Sequence, residues 1–256
     1  MPDCTLPHPQ GAVAWLDMLL TAQDEALEFY QPLFGWSGSA APEDPNRYAV
    51  QTVHGKAVAG LGRMPAGEPA MPWTGYFAVT DIEAAVGRIT PHGGGVIVGA
   101  TEAPGVGSFA HGTDPSGAPF GLWQPAPFPG FEVYGEPGCL YWLELVTTEG
   151  KACADFYGAL LEAEVEPMAE MPDSYWTIQV EGQPRAGILR VDEVERAHWR
   201  PYFQVADVDI TIAAALAAGA QLTSPAEDTP FGRMATLTDP LGVQIRVAAP
   251  PPGMGG

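Results

Sequence analysis

Charged and aromatic residues alternate with apolar ones in three short segments of the second half of the chain. The residues on the alternating face are Trp142, Glu144, Arg200, Tyr202, Gln204, Gln244 and Arg246. A period of two places side chains on one face of a β-strand. Guanidinium groups bind carboxylates, phenolates and enolates, and a suitably placed carboxylate can act as a general base. If the segments converge, they form a pocket for an aromatic, anionic ligand, with Glu144 as the catalytic group.

The first half carries a less charged set at corresponding places, namely Trp15, Asp17, Thr74, Tyr76, Gly121 and Trp123. This set predicts a roomier aromatic cavity, because a glycine leaves space. In both halves an acidic residue lies two positions after a tryptophan, and burial raises carboxylate pKa values. Asp17 and Glu144 are therefore the candidate catalytic residues. Two alternatives stay open: Glu144 pairs with Arg200 or Arg246 and fills the cleft, or both carboxylates bond backbone groups at a strand end.

These candidates belong to a repeat that divides the chain in two. Three landmarks, Trp-Leu-Asp/Glu, Phe-Tyr and Asp-Pro-x-Gly, recur in the same order at offsets of 127, 127 and 125 residues. Tyr76-Phe77 recurs as Tyr202-Phe203 at an offset of 126. The repeat predicts one domain over residues 11–125 and a second over 139–249. A Pro/Gly-rich linker is expected over 126–138 and a disordered tail over 250–256.

Each copy shows the same order of predicted elements. In the first copy a strand with period two comes first, and a helix over 23–34 follows, ending at Gly35. Strands are expected near 47–53, 56–63 and 74–80, and a second helix over 81–90. Residues 109–113 and 119–124 flank an Asp-Pro-Ser-Gly turn and predict a hairpin. In the second copy the second helix is expected over 210–218. The chain is therefore predicted to be α+β.

The order of elements, with FYxxLFGW at 29–36, AVTDI at 78–82 and DPxG before the last strand, resembles the vicinal oxygen chelate superfamily of glyoxalases, extradiol dioxygenases and bleomycin-resistance proteins. The resemblance covers residues 11–249, and its two-copy form is similar to bacterial tandem proteins labelled hydroxylases or glyoxalases. It implies two tandem glyoxalase-fold domains. Each would contain two βαβββ modules whose curved mixed sheets enclose a cavity, with helices outside.

The resemblance also implies where a divalent metal would be held. The matching positions carry Trp15, Trp142, Thr74, Arg200, Gly121 and Arg246, and none of these is a ligand in the family. Arginine would place a fixed positive charge where the cation should lie. We therefore expect that both metal sites are lost and that no cofactor is bound. His111 lies on the strand before Asp114 and is the one histidine that we expect in a cavity.

Composition limits the partners. Eleven basic against 31 acidic residues give a net charge of −20, which disfavours nucleic acid and anionic membrane surfaces. No window reaches 18 uninterrupted apolar residues, so no membrane association is expected. Three cysteines, an odd number without metal-ligand spacing, indicate a reducing compartment. We expect a cytoplasmic monomer or homodimer.

Three functions are compatible with these residues. The first is a metal-independent protein that binds a small aromatic or anionic organic molecule, either as a secondary-metabolism enzyme of hydroxylase, lyase or isomerase type or as a resistance or sequestration module. The second is a metal-dependent lyase or dioxygenase whose site uses His111 and carboxylates such as Asp17. The third is an interaction protein with collapsed cavities.

Overall fold

The computed structural model describes residues 6–40, 47–65, 67 and 70–251. The first half contains β1 (Val13–Leu20), α1 (Gln23–Phe34), β2 (Ala49–Val53), β3 (Lys56–Arg63), β4 (Met71–Ala78), α2 (Ile82–Ile89), β5 (Gly95–Ala103), β6 (Gly107–Thr113) and β7 (Pro119–Pro125). The second half contains β8 (Leu140–Thr147), α3 (Gly150–Leu161), β9 (Glu164–Pro167), β10 (Tyr175–Val180), β11 (Gln183–Arg190), β12 (His198–Gln204), α4 (Val208–Ala217), β13 (Gln221–Thr229), β14 (Gly232–Thr238) and β15 (Gln244–Ala249). Most of the predicted tail, 252–256, lies outside the described residues.

Each half forms one mixed sheet. The first has seven strands in the order β2-β3-β1-β4-β7-β6-β5, and the second has eight in the order β13-β14-β15-β12-β8-β11-β10-β9. In each, the opening strands of the two modules pair antiparallel at the centre, β1 with β4 and β8 with β12. The predicted α+β fold of two repeated halves is confirmed. Strand β9 has no counterpart among the described residues of the first half.

The helices form where their sequence signals lie. Helix α1 buries Ala26, Phe29, Tyr30 and Phe34, and it ends at Gly35, whose φ of 67° is readily adopted only by glycine. Helices α2 and α4 begin after Asp81 and Asp207, whose carboxylates accept the backbone N–H three residues later. These caps belong to the repeated segment that begins at Tyr76 and Tyr202. The predicted bounds of α1, α2 and α4 agree with the structure to within two residues at each end.

Three edge strands were not predicted from the sequence pattern, namely β5, β9 and β13. Strands β5 and β13 lie at the outer edge of their sheets, and most of their side chains are exposed or half-buried on both faces. They therefore lack the alternation of buried and exposed residues on which a strand prediction depends. The hairpin across Asp114-Pro-Ser-Gly is confirmed, because β6 and β7 pair antiparallel over their full length.

The predicted linker packs against the first sheet. Phe131 and Val133 are buried, the Phe131 N–H donates to the Ala14 carbonyl at 2.8 Å, and the Tyr134 hydroxyl donates to the Val13 carbonyl at 2.6 Å. Gly130 has a φ of 105°, and a Cβ there would lie 2.0 Å from the Ala14 oxygen. The segment therefore follows the start of β1 closely.

The two sheets share one aromatic core. Phe34 of α1 packs against Phe203 of β12 with ring centroids 4.6 Å apart, and Phe156 of α3 packs against Phe120 of β7 at 5.7 Å. One aromatic side chain of each half's first helix thus packs against a strand of the other half's sheet. No helix in the described part of the chain has the length and apolar character needed to cross a membrane.

Candidate functional site

A buried carboxylate bonded by two tyrosines lies at the centre of the first sheet. Asp17 Oδ2 accepts hydrogen bonds from the hydroxyls of Tyr48 at 3.0 Å and Tyr76 at 3.1 Å. The Trp15 indole N–H donates to the Tyr48 hydroxyl at 2.6 Å, and His111 Nε2 lies 2.8 Å from the Tyr76 hydroxyl. We call these five residues the first carboxylate centre.

Strand register and two glycines create this arrangement. Asp17 on β1 lies opposite Gly60 on β3 and Thr74 on β4. A Cβ at Gly60 would lie 2.0 Å from the Tyr48 hydroxyl, so glycine is needed for Tyr48 to reach the carboxylate. Gly121 plays the same part for Tyr76, whose ring fills the space beside it. The roomier cavity expected at Gly121 is thus occupied by the Tyr76 ring.

Burial sets the protonation of this centre. Asp17 is only 4% exposed, and burial raises the pKa of its carboxyl to about 7, although the two tyrosine hydrogen bonds oppose the shift. Burial lowers the pKa of His111 to about 4, which keeps the imidazole neutral near pH 7. Oδ1 of Asp17 is buried and has no hydrogen-bond partner in the described part of the chain. The first carboxylate centre therefore contains a carboxyl group that titrates near pH 7 and whose Oδ1 is not held by any described residue.

The second sheet contains a similar centre with added positive charge. Glu144 Oε1 accepts from the Tyr175 hydroxyl at 3.1 Å, and Oε2 accepts from Tyr202 at 2.7 Å and from Arg200 Nη2 at 2.5 Å. The Trp142 indole N–H donates to the Tyr175 hydroxyl at 3.0 Å. These residues form the second carboxylate centre. The alternative in which Glu144 pairs with Arg200 is the arrangement in the structure.

Arg246 extends this second centre. Its guanidinium lies 5.2 Å from the Tyr202 ring centroid, and it donates to the Tyr202 hydroxyl and to Thr236 Oγ1, both at 2.9 Å. Burial and the Glu144 charge raise the pKa of Tyr202 to about 12, and both arginines oppose the shift. The Tyr202 hydroxyl therefore stays protonated, accepting from Arg246 and donating to Glu144.

The two centres are copies of one another. Each contains a tryptophan, a tyrosine, a carboxylate and a second tyrosine, hydrogen-bonded in that order. Tyr48 and Tyr175 were not among the predicted site residues. Their separation of 127 residues equals that of Trp15 and Trp142, so the repeat offset carried the signal. Neither hydroxyl lies on the strands from which the candidates were chosen by alternation.

The structure brings together nine of the predicted site residues, namely Trp15, Asp17, Tyr76 and His111 in the first half and Trp142, Glu144, Arg200, Tyr202 and Arg246 in the second. Four others have different surroundings. Thr74 donates to the Pro72 carbonyl, and Trp123 packs on Phe128. Gln204 donates to the Gly135 carbonyl at 3.3 Å, and Gln244 is exposed.

The donor set does not fit the family's metal. Within the described ranges, no three His, Cys, Asp or Glu side chains lie together in a group that could hold an ion. In the first centre Asp17 and His111 both bond Tyr76, which makes two donors where catalytic zinc needs three. In the second, Arg200 occupies the Glu144 oxygen that a cation would need.

Two mixed sheets built from repeated strand-helix-strand modules, each with a polar centre on its middle strands, define a tandem glyoxalase-type fold. The family described as "Glyoxalase-like domain" matches residues 142–248. The protein named "Putative glyoxylase CFP32" of Mycobacterium tuberculosis is 35% identical over 253 residues, covering 96% of this chain and 97% of its own length. The chain therefore belongs to the vicinal oxygen chelate, or glyoxalase-like, superfamily, as its sequence resemblance predicted.

A second group of relatives comes from Streptomyces. The "Anthracycline biosynthesis protein DnrV" of Streptomyces peucetius is 35% identical over 257 residues, covering 93% of this chain and 92% of its own length. Among solved structures, the Mn(II)-bound glyoxalase of Novosphingobium aromaticivorans covers 94% of this chain and 82% of its own chain, with a TM-score of 0.67 and 15% identity. At that identity the likeness shows the fold.

Proposed function

We propose that the chain binds a flat aromatic organic molecule at its carboxylate centres and that Asp17 exchanges a proton with it, as a metal-independent enzyme of secondary metabolism. The observation that carries the proposal is the buried Asp17 carboxyl, whose pKa is raised to about 7 and whose Oδ1 has no partner among the described residues. A group that titrates near the working pH can both accept and return a proton.

The surrounding residues support proton exchange at Oδ1. Tyr48 and Tyr76 hold Oδ2 and thereby fix the carboxylate plane. Ionised Asp17 would take a proton from a ligand C–H or O–H group onto Oδ1 and later return it. The Tyr76 hydroxyl bonds both Asp17 and His111, so Asp17 keeps a fixed position in one hydrogen-bonded chain while Oδ1 exchanges the proton.

The relatives' names support the class of ligand. An anthracycline is a fused-ring aromatic compound, and two Streptomyces relatives are named for anthracycline biosynthesis. The rings of Trp15 and Tyr76 in the first centre and of Trp142 and Tyr202 in the second are suited to such a ligand. In the second centre Arg246 adds a cation for a phenolate or enolate oxygen.

A cytoplasmic location and a monomeric or dimeric state, without nucleic acid or membrane partners, stay predictions.

Two other functions differ from this proposal in measurable ways. The name glyoxylase of the mycobacterial relative favours a metal-dependent lyase. A resistance or sequestration module would bind the same ligands without proton exchange. Only the metal-dependent lyase would lose its activity on dialysis against a chelator and regain it when metal is added. Ligand binding whose pH profile does not depend on Asp17 selects the sequestration module.

The test uses 2-naphthoate, a fluorescent fused-ring anion, in titrations of the full chain from about pH 5 to pH 9. Saturable binding is expected, and it weakens as Asp17 ionises near pH 7, because two negative charges repel. Asp17→Asn is expected to remove this pH dependence, whereas the matched surface variant Glu83→Gln keeps it. The proposal fails if 2-naphthoate does not bind, or if Asp17→Asn and the parent chain share one pH profile.

A parallel titration tests the anion-binding role of the arginines. Arg246→Ala removes the cation beside Tyr202 but leaves the Glu144–Arg200 pair in place, and Arg200→Ala removes the partner of Glu144. Each is expected to weaken 2-naphthoate binding. Unchanged affinity in both variants would overturn the anion pocket of the second half.

A further inference from the structure

Two buried polar atoms on β12 have no hydrogen-bond partner among the described residues, namely Arg200 Nε and His198 Nε2. The two residues are separated by one position, so both side chains leave the same face of the strand. In the register with β8, Arg200 lies opposite Glu144 and His198 lies opposite Val146. His198 therefore extends the second carboxylate centre by one step along the sheet. Only His111 was expected from the sequence to lie in a cavity, so the burial of His198 Nε2 was not predicted.

The hydrogen bond on the other ring nitrogen fixes the chemistry of His198. Nδ1 lies 2.9 Å from the backbone carbonyl of Arg196, and a carbonyl only accepts, so Nδ1 carries the proton. Burial, and then the nearby Arg200 charge, lower the pKa of His198, although the Arg196 bond opposes the shift. The ring is consequently neutral near pH 7. Its Nε2 is a buried lone pair that receives no hydrogen bond from the described part of the chain.

Arg200 supplies the complementary group. Its Nη2 is held by the Glu144 carboxylate at 2.5 Å, which fixes the guanidinium. Its Nε carries one N–H, which is buried and has no acceptor among the residues that the structure describes. A buried donor and a buried acceptor thus belong to side chains two positions apart on the same strand face. Each costs free energy while unpaired, so the site favours a group that satisfies both.

One oxygen that accepts and donates satisfies both atoms. A hydroxyl does so, whereas a carboxylate or carbonyl has no proton for His198 and an ammonium has no lone pair for Arg200. We propose that a phenolic hydroxyl of the aromatic ligand binds here, accepting from Arg200 Nε–H and donating to His198 Nε2. This subsite rests on the proposed function, because it requires an aromatic ligand at the second centre.

The subsite predicts discrimination between ligands that differ by one hydroxyl. A site that pairs buried groups with a ligand hydroxyl rejects the analogue without it, because its own groups then stay unpaired. We expect the parent chain to bind 6-hydroxy-2-naphthoate at least about tenfold more tightly than 2-naphthoate. His198→Phe removes the acceptor and is expected to bring the ratio close to one.

His92 offers a matched control. It is an exposed histidine in the first half whose Nδ1 also lies 2.8 Å from a backbone carbonyl, that of Arg88. His92→Phe is expected to keep the parent preference. Because His198→Phe can fail to fold, the nitrogen-15 NMR signal of His198 Nε2 is followed in the parent chain. It should move towards a hydrogen-bonded value with 6-hydroxy-2-naphthoate and not with 2-naphthoate.

The outcomes separate this proposal from the one on which it rests. Equal, saturable affinity for both naphthoates would mean that only an ordered water fills the subsite, and it would overturn the hydroxyl subsite while leaving aromatic binding intact. A preference that persists in folded His198→Phe would overturn it as well. Binding of neither naphthoate would overturn both proposals. A preference lost in His198→Phe and kept in His92→Phe supports the subsite.

Discussion

The Tyr30 hydroxyl donates to Asp239 Oδ2 at 2.6 Å across the boundary between the two halves, although the residues are 209 positions apart. The contact is repeated with the halves exchanged, since the Tyr157 hydroxyl donates to Asp114 Oδ2 at 3.1 Å. Each tyrosine also accepts from a tryptophan indole N–H. The Phe-Tyr and Asp-Pro-x-Gly landmarks that revealed the repeat are therefore partners of one another in space.

Removing one of these hydroxyls should destabilise the whole chain. Tyr30→Phe leaves a buried oxygen of Asp239 without its donor and the Trp73 indole without its acceptor. An unpaired buried polar group costs about 1–3 kcal/mol, so a loss of that size in the free energy of unfolding is expected. Urea unfolding followed by tryptophan fluorescence measures it.

The control for this variant is Tyr141→Phe. The Tyr141 hydroxyl donates to the Phe231 carbonyl in an exposed position, where water replaces it. Its free energy of unfolding should change by less than about 0.5 kcal/mol. Equal stabilities of the two variants would contradict a structural role for the crossed pairs.

The repeat explains why the fold could be predicted from the sequence and part of the site could not. Ordered landmarks gave the two halves, and alternation on β8 and β12 gave the face shared by Glu144 and Arg200. Alternation does not report residues that reach a centre from a neighbouring strand or loop. Tyr48 and Tyr175 arrive in this way over Gly60 and Gly187, and only the three-dimensional register reveals it.

Filling the glycine space beside a carboxylate should displace its tyrosine. A Cβ at Gly187 would lie 2.1 Å from the Tyr175 hydroxyl, which donates to Glu144. Gly187→Ala is expected to cost about 1–3 kcal/mol through overpacking, measured by urea unfolding. Gly99→Ala on β5 is the matched strand control, because no atom of the described residues lies within 4 Å of its added Cβ. A Gly187→Ala chain as stable as Gly99→Ala would contradict the packing argument.

Breaking the Glu144–Arg200 pair from one side should cost more than removing both charges. Both side chains are largely buried, so Arg200→Met leaves an uncompensated carboxylate and should cost about 3–5 kcal/mol. The double variant with Glu144→Gln should recover most of this loss, because no buried charge is left. Arg233→Met, at an exposed ion pair, is the control and should change little. Additive losses in the double variant would contradict the coupling.

The raised pKa of Asp17 makes stability depend on pH in a direction that can be worked out. The carboxyl titrates near 3.8 when unfolded and near 7 when folded, so the folded state binds the proton more tightly. The stabilising contribution of this carboxyl to the free energy of unfolding is fully present below pH 3.8 and is lost as the pH rises through 7. The total change is on the order of 4 kcal/mol. His111 acts in the opposite sense, because its lowered pKa costs stability as the pH falls below 6.5.

The parent chain and Asp17→Asn both keep His111. The difference between their free energies of unfolding therefore isolates the contribution of Asp17. Asp17→Asn cannot ionise, so relative to the parent chain it should gain stability between about pH 4 and about pH 8, on the order of 4 kcal/mol. Urea unfolding at both pH values measures the difference. The exposed-residue variant Glu83→Gln should keep a constant difference from the parent chain. If the difference in the free energy of unfolding between Asp17→Asn and the parent chain is also constant with pH, the Asp17 carboxyl has the same pKa in the folded and unfolded states. That result would contradict the acid–base role proposed for the first centre.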